Sequence, residues 1–172
     1  TAAVKDAQYK LKVSSANGNT FAPEVELPFT VSKNPVFTMA GFTKNKSYAT
    51  AADIVGSKSV DAPLYGATNT KVISFDPRAF DQYGVPLSKS QYTATTERHL
   101  YSDEACANEI TTGNAVESVT VAAETGSLLI SGNLQTDVWC KVRASATVNG
   151  ETKYSDWYTF QIKSNYPQPR KA

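Results

Sequence analysis

Two tryptophans and two cations fall on one side of a single stretch of this sequence. Between Asp137 and Lys163, DVWCKVRASATVNGETKYSDWYTFQIK, the residues Trp139, Lys141 and Arg143 alternate with Val138, Cys140 and Val142. Trp157 takes the same polar side of a second alternating run, opposite Tyr158, Phe160 and Ile162. A period of two marks a strand with one face in a core and one in water. Indoles flanked by cations on such an outer face suit stacking on sugar rings. Trp139, Trp157, Lys141 and Arg143 are therefore the candidate binding residues. The competing reading is that other strands or a neighbouring subunit cover them, because large apolar faces do not normally stay naked.

Groups for catalysis are scarce. His99 is the only histidine, and a Ser-His-Asp triad would have to use it with Glu97 or Asp103, which read as ordinary strand-end charges. Phosphate-loop, dinucleotide, nucleophile-elbow and H-E-x-x-H patterns are all missing from the sequence. Asp76, Asp81, Asp103, Glu104 and Asp156 lie among turn formers, where Asp is expected to cap local amides. Two cysteines and one histidine cannot supply the four ligands of structural zinc. Calcium needs about six converging oxygens, of which a turn at Asp76 and Asp81 would give two. No catalytic residue and no cofactor is therefore expected, with calcium the one metal left open.

Cys106 and Cys140 leave two readings. They form a disulfide, closing a loop of about 35 residues worth roughly 3–4 kcal/mol, or Cys140 is a small buried apolar residue and Cys106 a free thiol. The Ser-, Thr- and Asn-rich composition points to an extracellular setting and favours the disulfide. With a net charge of +1 and 19% charged residues, the chain has no electrostatic case for nucleic acid or an anionic membrane. No apolar run approaches the roughly 20 residues of a spanning helix. A chain of 172 residues that opens at Thr1 is expected to be a processed protein or a piece of a longer one.

The elements that must position these residues are short strands. Alternation is clear at 7–13 (Tyr9, Leu11 and Val13 on one side), at 24–31, where Pro28 argues for an edge strand or bulge, and at 36–42. It fades from 43 to 70, where Ala49–Val55 suggests a helical turn and Asn45-Lys46-Ser47 matches a glycosylation acceptor. Further strands are expected at 72–75, 91–101, 116–122 and 127–134. Asn149-Gly150 is a strong hairpin signal, but a two-residue loop would set Val142 against Trp157, core face against solvent face. A three-residue loop, 148–150, restores parity and places Cys140 opposite Tyr158, Val138 opposite Phe160 and Trp139 opposite Thr159. In that register Trp157 is the diagonal neighbour of Trp139.

About eight to ten such strands indicate an all-β sandwich. The segment AFDQYGVPLS (79–88) and the terminal strands VWCKVRASATV and WYTFQIK resemble bacterial immunoglobulin-like (Big/invasin-like) domains of cell-surface and surface-layer proteins over residues 71–163. The resemblance implies an immunoglobulin-like β-sandwich at 71–164, without catalysis; it does not extend to 1–70, which the alternation marks as a strand-rich N-terminal region, and YPQPRKA marks a proline-containing tail at 165–172. The resemblance also implies a structural subunit of a surface layer, adhesin stalk or filament, with copies of itself or neighbouring surface domains as partners. Strand exchange through Tyr9, Leu11 and Val13 is the expected route of assembly. A carbohydrate-binding module using Trp139 and Trp157, or an Ig-like phage virion protein, are the alternatives.

Overall fold

The computed structural model describes residues 7–13, 25–31, 34–44, 47–48 and 58–167. The helical turn expected at 49–55 and the Asn45-Lys46-Ser47 acceptor fall on residues outside this set, wholly or in part. The chain divides into two compact units, Thr1–Val36 and Phe37–Ala172.

The first unit is an antiparallel ribbon of β1 (Ala7–Val13) and β2 (Val25–Val31). Its register sets Tyr9 against Phe29 and Leu11 against Leu27. The Tyr9 and Phe29 rings stack at 5.5 Å, and a Lys10–Glu26 ion pair of 2.7 Å joins residues of the opposite parity. Pro28 sits in a strand whose only described partner is β1, as a residue without an N–H requires.

The second unit is all-β and sandwich-like. One layer is built on β11 (Val138–Val148), whose residues alternate between buried and half-buried along almost its whole length. Along one edge β11 pairs with β8 (Thr93–Tyr101), with Cys140 against Leu100 and Ala144 against Thr96. It also pairs with β12 (Glu151–Tyr154) and then with β13 (Tyr158–Lys163). Strand β5 (Ser59–Asp61) adds parallel to β13. The other strands form two three-stranded sheets, one including β6 (Thr70–Ile73) and the other β7 (Pro77–Asp81), of which β7 packs against β11. Strand β10 (Leu128–Ser131) pairs with β6 and β9 (Val119–Val121), while β3 (Phe37–Lys44) pairs with β7 and the short β4 (Ser47–Tyr48). Phe42, Phe160, Leu100, Leu128 and Ile162 are fully buried in one core cluster between the sheets, and Phe80 is fully buried on the other face of β7 from the core residue Ala79. The Phe42 ring bridges the sheets, 5.0 Å from Phe75 and 5.7 Å from Tyr158.

The compact unit therefore starts at Phe37 and not at residue 71. Strands β3 and β5 pair with β7 and β13, so residues 37–44 and 59–61 belong to the sandwich. The expected tail is also tied in at its start, since the Asn165 amide donates to the Ala62 carbonyl and the Tyr65 and Tyr166 rings meet edge to face. A strand was expected from residue 116, but Asn114–Ser118 is a short helix, α1, and β9 begins only at Val119. Gly113, at φ 90°, turns the chain there, and the Asn114 side chain fixes the turn by bonding Asn133 O and Gln135 N, both at 2.9 Å.

The hairpin is where the sequence reading needs its main correction. Asn149-Gly150 is a two-residue turn with φ of 50° and 85°, and β12 pairs with the odd-against-even parity that the three-residue loop was meant to avoid, Ala146 opposite Lys153. Parity is restored further on. At Ser155–Trp157 the strand breaks, and β13 resumes with Cys140 opposite Phe160, Val138 opposite Ile162 and Trp139 opposite Gln161. Ser155 makes the break affordable. Its N–H donates to Ala144 O (2.9 Å), while the Ala144 N–H donates to the Ser155 hydroxyl (2.9 Å), which donates in turn to Asp156 O (2.8 Å). A side-chain oxygen thus replaces the carbonyl that the broken ladder withholds, and the buried amide keeps its partner. Ser155→Ala would orphan that amide. The expected loss is about 1–3 kcal/mol, read as a lower denaturation midpoint at unchanged m-value, whereas an unchanged midpoint would mean that water or a shifted carbonyl substitutes.

Candidate functional site

The outer face of the β8–β11–β13 layer carries the four expected binding residues. Across β11, Glu97 lies opposite Arg143, His99 opposite Lys141 and Tyr101 opposite Trp139. Arg143 donates to Glu97 through Nε (2.7 Å) and Nη2 (3.2 Å), a forked charge-assisted pair. Its guanidinium also lies 4.0 Å from the Tyr154 ring centroid and 4.3 Å from that of Trp157. Lys141 Nζ sits 5.4 Å from Trp157 and 5.9 Å from Tyr101. The edge of the His99 ring meets Trp157 at 5.3 Å and 83°.

His99 is held from both sides. Nε2 lies 3.2 Å from Glu97, and Nδ1 is hydrogen-bonded to Glu109. Glu109 reaches it because the 102–110 loop folds back on β8, with Ser102 N donating to Asn108 O and Ile110 N to Leu100 O. Asp103 fixes that loop by accepting from the Ala107 and Asn108 amides at 3.1 and 2.9 Å. The Arg143 fork, with help from His99, holds Glu97 below the usual carboxylate range against a desolvation that pushes upward. Hydrogen bonding to Glu109, then to Glu97, raises His99 above 6.5 despite its partial burial.

Trp157, Lys141 and Arg143 are thus brought together, but around each other. The Trp157 ring is packed against the chain's own cations. Trp139 pairs with Gln161, four residues along β13 from Trp157, so the two indoles are not the diagonal neighbours that the three-residue loop implied. Glu109, Tyr154 and Tyr101 complete the cluster without a signal in the sequence, and Glu97, expected as a strand-end charge, lies mid-strand in β8 and is bonded to Arg143. Glu97 was within reach once β8 was set against β11, whereas Glu109 depends on a loop fold with no periodic signal. Of the assembly residues, Tyr9 and Leu11 lie on the exposed face of the ribbon, and Val13 closes the pairing opposite Val25.

The expected Cys106–Cys140 disulfide is not formed; both thiols are free. Cys140 points into the core at 0% exposure, which drives its pKa up to about 12. Cys106 lies in the 102–110 loop at φ 53°, its thiol on Glu104 O at 3.7 Å. Of the two carboxylates considered for calcium, one oxygen of each is engaged within the chain. Asp81 Oδ1 accepts the Tyr83 and Val85 amides at 2.8 and 2.9 Å, and Asp76 Oδ2 is taken by Arg78 at 2.7 and 2.9 Å. Among the described residues no three His, Cys, Asp or Glu side chains are placed to share a metal, and no helix is long and apolar enough to cross a membrane.

No protein-family model matches the chain, and no curated protein matches it.

Two measurements test this site. The raised pKa of His99 means that its charge stabilises the fold fully below about 6.5, with the benefit fading as pH rises through the higher folded value. Stability should therefore fall across that window and do so less in His99→Gln; identical pH profiles would disprove the ladder. Alkylation of the unreduced native protein should modify Cys106 alone, and denaturation should add Cys140. No alkylatable thiol in the denatured, unreduced protein would restore the disulfide.

Proposed function

We propose that this chain is a non-enzymatic structural module of an extracellular surface assembly, an immunoglobulin-like sandwich that joins others through its N-terminal ribbon. The observation that carries this reading is the ribbon's apolar face. Tyr9, Leu11, Leu27 and Phe29 are 52%, 53%, 53% and 50% exposed, all of one parity on a two-stranded ribbon. A two-stranded ribbon is at best marginally stable in water and needs a third strand or a packed face. Among the described residues neither strand of the ribbon has a further partner, so its edges can take an added strand.

The sandwich supports the other half of the proposal. A first-layer strand, β5, runs parallel to the last strand, β13, and the long β11 lies between β8 and β13. The antiparallel β8–β11–β13 part of that arrangement lies within residues 71–163 and supports the immunoglobulin-like resemblance there, whereas β5 lies outside that span. The clustered polar groups on the outer face are engaged with one another, as in a scaffold. Partners are copies of this chain or neighbouring surface domains. The setting at the cell surface follows from the resemblance and the composition.

Light scattering and negative-stain microscopy of the full chain test the reading. Oligomers or filaments are expected, and Leu11→Lys with Leu27→Lys should leave a folded monomer. A wild-type protein that stays monomeric at about 100 μM, a concentration that would populate any contact of micromolar affinity, would refute it. So would an assembly that the double variant does not disturb.

A further inference from the structure

A second polar site lies away from the tryptophans, where the β6–β7 link, the turn at 89–91 and the turn after β9 come together. It is a cleft of about 380 Å³, at the lower end of the roughly 300–1,000 Å³ typical of small-molecule sites. Its apolar lining comes from Phe75, Pro77, Ala94 and Tyr92. The Tyr92 hydroxyl is buried, so what this residue offers the cleft is ring. Asp76, Lys89, Glu124 and Thr125 supply the polar groups.

Asp76 is built to receive a donor. Its Oδ2 is filled by Arg78 and by the Thr43 hydroxyl at 3.1 Å. Its Oδ1 has Lys89 Nζ at 3.7 Å, beyond hydrogen-bond reach. Burial resists ionisation, but the bonds from Arg78 and Thr43 outweigh it and keep the carboxylate charged. Thr125 Oγ1 already accepts the Ser127 amide at 3.2 Å, which leaves its hydroxyl hydrogen to donate. The wall is also fixed in place. Gly126, at φ +69°, lets the turn seat on Pro77, where a Cβ would lie 2.8 Å from the proline ring.

We propose that this cleft binds a single neutral sugar residue, such as the terminal hexose of a glycan. Acceptors at Asp76 Oδ1 and Glu124 stand beside donors at Lys89 Nζ and Thr125, over an apolar lining. Adjacent sugar hydroxyls each donate and accept, and suit that mixture. An anion would meet two carboxylates. A metal ion would meet Lys89, and Asp76 is already neutralised by Arg78. Neither charged class fits the site as well as a neutral polyol with one apolar face.

Nitrogen-15 NMR of the full chain, titrated with glucose, galactose, mannose and N-acetylglucosamine to about 10 mM, tests this at the concentrations a millimolar site requires. At least one sugar should give saturable shifts at the amides of Asp76, Tyr92, Ala94 and Thr125. Lys89→Ala, at an exposed side chain, should weaken binding roughly tenfold while leaving the rest of the spectrum in place, and Glu124→Gln should do the same. The proposal is overturned by any of three results. They are no saturable shift with any of the four sugars, shifts confined to Trp139 and Trp157, or equal shifts with glycine or acetate. Unchanged affinity in both variants overturns it too. Assembly through the ribbon is read by light scattering, so failure of either proposal leaves the other standing.

Discussion

The Ala144 amide and the Ser155 hydroxyl form the contact on which the rest of the sandwich depends. Strand β11 presents Val138, Cys140, Val142, Ala144 and Ala146 to the core without interruption. Its neighbour must turn tightly at Asn149-Gly150 and still bring Tyr158, Phe160 and Ile162 to the same side. A tight two-residue turn and a shared core face demand opposite parities. One extra residue must therefore enter the returning strand, and a ladder broken at a buried position exposes an amide to an apolar surrounding. Ser155 supplies the missing acceptor from its side chain. Everything from Trp157 to Lys163 takes its register from that substitution, and so does β5, which pairs with β13.

The same break shapes the outer face. Tyr154 and Trp157 flank it on either side, and both rings come within reach of the Arg143 guanidinium. Three surfaces of the molecule then differ in how far their groups are satisfied. On the tryptophan face, cations, rings and carboxylates saturate one another, which suits rigidity more than recognition. In the cleft at Asp76, one carboxylate oxygen is anchored while the other has no direct donor among the described residues. On the ribbon, apolar side chains are half exposed. Binding is expected where satisfaction is incomplete, which directs attention to the cleft and the ribbon.

Much of this was legible in the residues. The alternation of β11 and β13, the Asn149-Gly150 turn, the ribbon strands and the edge position of Pro28 follow from period-two patterning and turn chemistry. What escaped is non-local. A bulge closed by a serine hydroxyl looks like any other Ser-Asp in a turn, and parity alone argued for the wrong loop. Glu109 meets His99 through a loop held by Asp103, with no spacing to announce it. Cys140 reads as a bonding partner or a small core residue, with the composition favouring the bond, and the free, separate thiols decide for the latter. The stretch from 37 to 61 looked like part of an N-terminal region because the family resemblance begins only at 71 and the alternation fades after 42, yet β3 and β5 pair with β7 and β13.

The central claim is that one hairpin carries two registers, and cross-strand backbone NOEs measure it directly. The account predicts contacts between Thr147 and Thr152 and, in the same molecule, between Lys141 and Thr159. Contacts linking Thr147 with Glu151 and Lys141 with Trp157 would show an unbroken three-residue hairpin, and would contradict it.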